Sequence, residues 1–171
     1  TEKEKEMRDL TVDLLNELLT YDRETGKLYW KSARQGVTVG KEAGALDKEG
    51  YSILRINYKR YRTHRVVFLM HKGYLPVVLD HIDGDRANNR LDNLRPASLS
   101  QNQHNRKLNK NNKSGFKGVS YNSKSKMFFA SIKHQRQTIF LGSYKTPEEA
   151  DKVVRVAREE LHGNFANHGD Q

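Results

Sequence analysis

A chain of 171 residues has room for one domain of ordinary size or two small ones, and with 35% apolar against 30% charged residues two small cores fit better than one thick one. The 31 Lys and Arg against 21 Asp and Glu leave a net charge of +10, an electrostatic footprint suited to nucleic acid, and the absence of cysteine excludes disulfides, thiol nucleophiles and thiolate zinc sites. No apolar run approaches the roughly 18 residues of a membrane span and no signal-peptide pattern is present, so the expected location is cytoplasmic.

In chain order, residues 1–20 read as a helix, with Leu10, Leu14, Leu15, Leu18 and Leu19 at near-helical spacing. Residues 21–30 read as strand, turn and strand, the turn centred on Thr25-Gly26. A further strand is expected over 51–56, turning at Asn57-Tyr58-Lys59-Arg60 into Tyr61–His64. Val66, Val67, Leu69 and Met70 suit a short helix that Gly73 and Pro76 break.

The next segment, from Leu79 to Arg95, packs an Asp-His pair, further carboxylates and several amides between two strand-like stretches. Hydrolysis of a phosphodiester near neutral pH takes an activated water, charge neutralisation on the phosphate and help for the leaving oxygen; a divalent ion with oxygen ligands and a histidine base supply these. Asp80 and His81 are adjacent, Asn93 lies twelve residues after His81 and Asn102 twenty-one after it. Neighbours on a regular strand face opposite ways, so Asp80 and His81 share a site only where the strand ends or twists. Asp83 and Asp85 read as turn and cap residues, and His64 as packed or phosphate-contacting. A calcium-loop reading of Asp80, Asp83 and Asp85 fails because no Glu closes the loop.

Downstream, Ser98-x-x-Gln101 has the form of a capping box opening a helix that carries Asn102, His104 and Asn105. The polar, basic stretch from Arg106 to Lys113 is the best domain boundary, either tracking phosphates or serving as a solvated tether. Three short strands follow over 116–121, 127–133 and 137–141; then Thr146-Pro147-Glu148-Glu149 opens a helix with Ala150, Val153, Val154, Ala157 and Leu161 as its stripe and Gly163 at its end. Strand alternation turns Ala130, Ile132, Ile139 and Leu141 towards that stripe, and Ser131, Lys133, Thr138 and Phe140 away from it.

The elements Asp80-His81-Ile82-Asp83-Gly84-Asp85, Asn88-Asn89, Leu91-Asp92-Asn93-Leu94-Arg95 and Asn102 resemble the HNH endonucleases of the phage and intron homing type, over roughly residues 10–107. The resemblance implies a ββα-metal fold, His81 as general base, Asn93 orienting its imidazole, and Asp80 and Asn102 as ligands to magnesium or manganese. With Asn at 102 this is an H-N-N variant. His104 is the alternative ligand, but it lies about 200° further round a helix, and an oxygen suits magnesium better.

The segments Gly115–Val119, Phe129–Ile132, Ile139–Tyr144 and Thr146–Ala150 resemble the DNA-binding domain of plant APETALA and ethylene-response factors, over roughly residues 114–167. By position this implicates Lys117, Ser120, Asn122, Ser131, Lys133, Thr138 and Phe140 in DNA contact, with Arg106, Lys107 and Lys110 of the linker beside them. Lysine where that family carries arginine favours phosphate over bidentate guanine contact.

The expected class is α+β: an N-terminal helix (1–20), a ββα-metal nuclease domain (21–107), a basic linker (108–113) and a small three-stranded antiparallel sheet plus helix that binds DNA (114–167). The expected function is a metal-dependent endonuclease on double-stranded DNA, in phage or bacterial host cytosol. One cutting segment per chain means a nick from a monomer or a double-strand break from a homodimer. The alternatives are a non-catalytic DNA-binding regulator and an RNA-binding protein.

Overall fold

The computed structural model describes residues 10–33, 36–105, 108–109 and 111–169. These form a mixed α+β chain of small sheets and helices in two compact units, one ending at Ala97 and the other beginning at Ser98.

In the first unit Thr11 opens α1 (Val12–Leu18), its hydroxyl accepting the Leu14 N–H at 3.2 Å. Of the helix expected over 1–20, residues 12–18 are helical, Leu19 and Thr20 belong to β1 (Leu19–Asp22), and 1–9 lie outside the described residues. Leu19 leaves the helix because an extended backbone pairs it with Trp30, and both side chains are then buried. β1 and β2 (Lys27–Trp30) form the expected antiparallel hairpin. Its turn needs glycine twice over: Gly26 has φ +72°, and a Cβ there would stand 2.5 Å from the Arg90 nitrogen and 2.7 Å from the Asn89 carbonyl carbon. The hairpin turn therefore seats directly on the main chain that leads out of the Asp-His segment.

β3 (Ala45–Leu46), β4 (Ser52–Ile56) and β5 (Lys59–Arg62) make an antiparallel sheet in that order. Asn57 and Tyr58, both at positive φ, form the two-residue turn that matches the twist of β4 and β5. α2 (Thr63–Lys72) follows at once and ends at Gly73, whose left-handed backbone donates to the Leu69 carbonyl. Its Val66, Val67 and Phe68 join Leu15, Leu28, Leu54 and Ile56 in the core. β6 (Val78–His81) and β7 (Leu94–Ala97) form a second hairpin, with Asp80 opposite Arg95 and His81 opposite Leu94. Leu79 and Leu94 sink its root into the same core, each worth about 1.5–3 kcal/mol.

The second unit starts with the expected capping box. Ser98 Oγ accepts from Gln101 N at 3.1 Å and Gln101 Oε1 accepts from Ser98 N at 2.8 Å, opening α3 (Leu99–His104). The division between compact units falls at this helix start, ten residues before the linker where the sequence suggested it. The cause is a tie at the other end of α3: the Asn167 amide donates to Asn105 O at 3.0 Å and to Asn105 Oδ1 at 3.3 Å. The rest is an antiparallel sheet in the order β10 (Gln137–Tyr144), β9 (Met127–His134), β8 (Val119–Asn122), covered by α4 (Pro147–His162). Thr146 and Glu149 cap α4 reciprocally, and its Ala150 and Val154 pack with Val119 and Ala130.

Two details of this unit bear on the strand reading, and the second corrects it. Leu141 is the extra residue of a bulge between Phe140 and Gly142, which keeps it against the core while Phe140 stays outside. Ile139, expected inward, is 38% exposed because β10 is an edge strand. On α4, Val153, Ala157 and Leu161 are only half-buried. Asp151 and Arg158 fill the inner face instead, and Arg158 donates to the Lys117 carbonyl at 2.7 Å. Among the described residues, no helix is long and apolar enough to cross a membrane.

Candidate active site and sheet face

The loop between β6 and β7 is built round Asn93. Its Oδ1 accepts the Asp83 N–H at 3.1 Å, and its Nδ2 donates to Asp83 Oδ1 and to the Asn88 carbonyl, both at 2.9 Å. Asp83 also accepts from the Asp85 N–H at 2.8 Å and from Asn88 Nδ2 at 2.7 Å. Burial works against its charge, but the bonds from Asn93, the Asp85 N–H and Asn88 together hold the Asp83 carboxyl below the usual carboxylate range. Asp85 caps the Ala87 N–H at 3.0 Å. Asp83 and Asp85 thus act as turn residues, as their Asp-Gly context suggested. Tyr21 of β1 locks the loop from outside: its hydroxyl accepts the Leu91 N–H at 2.8 Å.

His81 ends β6 and is 6% exposed. Its Nε2 lies 3.2 Å from Asn89 Oδ1, and Asn89 Nδ2 donates to the Ala87 carbonyl at 3.1 Å. This corrects the role expected of Asn93: the amide on the imidazole belongs to Asn89, while Asn93 shapes the loop. Only the doubled Asn88-Asn89 hinted at it, because spacing alone does not say which amide a twelve-residue loop turns inward. Burial pushes the His81 imidazole down; the Asn89 bond and the Asp83, Asp80 and Asp85 carboxylates oppose it only in part. The ring is therefore neutral at neutral pH.

His64 of α2, 4% exposed, packs edge-on against His81 with ring centres 4.8 Å apart, and Tyr51 lies 5.6 Å from His64 and 6.2 Å from His81. Its Nδ1 is buried without a hydrogen-bond partner. Burial, with the charge of His81, Arg62 and Arg65 adding to it, pushes His64 down to about 2. A histidine depressed in the folded state binds its proton only on unfolding, so stability is full above the unfolded value near 6.5 and is lost as pH falls below it. The expected loss is about 1.4 kcal/mol per pH unit. Urea midpoints at pH 7 and pH 5.5 check this, and His64→Phe is expected to flatten the slope.

Asp80, 5% exposed, faces its cross-strand partner: Arg95 Nε and Nη2 both stand 3.0 Å from Asp80 Oδ2. Asn102 lies in the second unit, on α3. Among the described residues, no three His, Cys, Asp or Glu side chains stand close enough to hold an ion. Asp80 offers a carboxylate with a fixed orientation, a hard oxygen donor that fits a small divalent cation keeping several waters.

On the second unit's sheet, register puts Ser120 and Asn122 of β8, Ser131 and Lys133 of β9, and Thr138 and Phe140 of β10 on one face. Phe129 shares it, its ring 5.5 Å from that of Phe140 and steeply tilted to it. Alternation from Ser131 pointed to Phe129. Lys117 stands apart: it precedes β8 and its ammonium donates to the Asn167 carbonyl at 3.0 Å. Arg106, Lys107 and Lys110 lie outside the described residues.

The HNH endonuclease family model matches residues 61–104. The chain is 36% identical to "Protein 3.8" of Escherichia phage T7 over 111 residues, 64% of this chain and 91% of that protein. It is 31% identical to "Uncharacterized HNH endonuclease L560" of Acanthamoeba polyphaga mimivirus over 147 residues, 84% of this chain and 75% of that one. A solved structure described as "DNA binding and cleavage by the HNH homing endonuclease I-HmuI" is 26% identical with a TM-score of 0.41, and covers 56% of this chain. The match spans 55%, about half, of that structure's chain.

Proposed function

This chain belongs to the HNH endonuclease family and is a nuclease, and on that premise we propose that it hydrolyses phosphodiester bonds of duplex DNA in the manner of the homing enzymes. The observation that carries this reading is the buried, neutral His81, its Nε2 against Asn89 Oδ1, next in sequence to a fixed carboxylate. Asn89 Oδ1 only accepts, so His81 Nε2 carries the proton and Nδ1 the lone pair. Nδ1 takes a proton from the water that attacks phosphorus. The imidazolium so formed is stabilised by Asp83, Asp80 and Asp85, whose fields favour its charge. The loop network round Asn93 holds that geometry through the reaction, so little reorganisation is needed.

Asp80 is the first-unit residue proposed to hold a divalent ion, magnesium or manganese, within a ββα-metal arrangement. Such an ion, when bound, neutralises charge on the phosphate and helps the leaving oxygen. Arg95 holds the Asp80 carboxylate aimed through its Nε and Nη2, both 3.0 Å from Oδ2. The second unit is proposed to hold DNA as the APETALA-type sheet does, through the shared face of Ser120, Asn122, Ser131, Lys133, Thr138 and Phe140, with Arg106, Lys107 and Lys110 on phosphates. Lys117 is left out of that set because its ammonium is committed to Asn167.

The test is cutting of supercoiled plasmid with magnesium or manganese, with and without excess RNA. Cleavage is expected with either ion, abolished by EDTA and little affected by RNA. A protein that binds duplex DNA but cuts it with no divalent ion overturns the proposal.

A further inference from the structure

Beside His81, but outside the residues that hold or activate it, two arginines from different elements meet on one aromatic ring. Arg62 at the end of β5 has its Cζ 4.0 Å from the Tyr51 ring centre, and Arg86 of the β6–β7 loop has its Cζ 4.8 Å from the same centre. Two guanidinium charges gathered on one ring repel each other. Both are solvent-exposed, and the local offset is thin. Glu49 Oε2 lies 3.9 Å from Arg62 Nη2, while Arg86 Nη1 donates to the neutral Glu49 carbonyl at 2.9 Å. A neutral ring that collects two exposed cations is a platform for an anion between them.

We infer that Arg62 and Arg86, presented on Tyr51, form a clamp for a backbone phosphate of the strand whose hydrolysis His81 assists. This rests on the reading of the chain as a nuclease acting on DNA. The occupant is a phosphodiester because the same ring that carries the arginines stands 6.2 Å from the His81 ring. A substrate strand lying on His81 thus passes the platform, and a guanidinium fork matches the paired oxygens of a phosphate. The clamp carries no base specificity; it sets the strand's position over His81.

Arg62→Gln and Arg86→Gln keep a polar side chain and remove the charge. Each is expected to weaken duplex binding about tenfold and to lower the slope of log affinity against log salt by about 1. KM should rise while kcat at saturating DNA is retained. Arg62→Lys and Arg86→Lys are expected to recover the salt slope, which also separates charge loss from misfolding. Lys27→Gln, an exposed position paired to Glu42, is the control for lost net charge.

Binding is measured in calcium and cutting in magnesium, at 50 and 200 mM salt. If the wild type cuts DNA while both glutamine variants match Lys27→Gln in affinity and slope, the clamp is wrong. If kcat falls with KM and slope unchanged, the arginines only brace the Tyr51–His81 rings, and the clamp is equally wrong. A wild type that fails to bind duplex DNA removes the parent reading and the clamp together.

Discussion

His81→Ala is expected to lower phosphodiester hydrolysis by about 10²–10⁴-fold, the usual contribution of a positioned general base, while duplex binding persists. The side chain is buried, neutral and oriented by Asn89, so its removal deletes the proton acceptor without touching a surface cation. The measurement is single-turnover cleavage of a labelled duplex beside its binding curve. Equal losses in cutting and in affinity would mean that His81 holds the loop or the DNA and is no base. Asn89→Ala separates the two effects further: the acceptor on Nε2 is lost but the imidazole stays, so a smaller fall in kcat is expected. Asn93→Ala should act differently again. It releases the Asp83 main chain and carboxylate together, so it should lower both the melting temperature and the rate.

Arg95→Ala is expected to destabilise the first unit by about 3–5 kcal/mol. Asp80 is 5% exposed and the Arg95 side chain 18% exposed, so water does little to replace the lost partner. The cost is that of leaving a buried carboxylate beside an empty position, larger than the net worth of the pair itself. Trp30, the chain's single tryptophan, lies in the first unit's core and reports that unit alone in urea unfolding. Arg95→Met with Asp80→Asn removes both charges and should recover most of the stability. Cutting should nevertheless stay low in the double variant, since a neutral amide at position 80 is a weaker ligand for a hard cation. Recovery of activity along with stability would show that Asp80 serves the fold and takes no part in the chemistry.

Local signals along the chain were enough for much of the architecture. The Ser98–Gln101 and Thr146–Glu149 capping boxes, the Thr25-Gly26 turn, the α2 stop at Gly73 and the three C-terminal strands all depend on residues within a few positions of each other. Side-chain chemistry and spacing within one short segment likewise pointed to a nuclease before any fold was known. The helix limit at Leu18 was not legible, because Leu19 is claimed by a cross-strand partner eleven residues away. Leu141 packs inward as alternation placed it, but the bulge it forms was not legible, since a bulge leaves no trace in a hydropathy pattern.

The amino-acid sequence by itself determined the class of chemistry: a histidine beside a carboxylate, a loop rich in amides and a strongly basic chain. Only the tertiary structure decided which amide does what. Asn89 meets the imidazole and Asn93 ties the loop, because the β1–β2 turn and the Tyr21 hydroxyl press on the main chain between them. The same holds for Arg95 on Asp80 and for Arg62 and Arg86 on Tyr51, residues that strand register and loop closure bring together from 11 to 35 positions apart. Residue type and spacing specify what a site is able to do; burial and long-range contact specify which atoms do it.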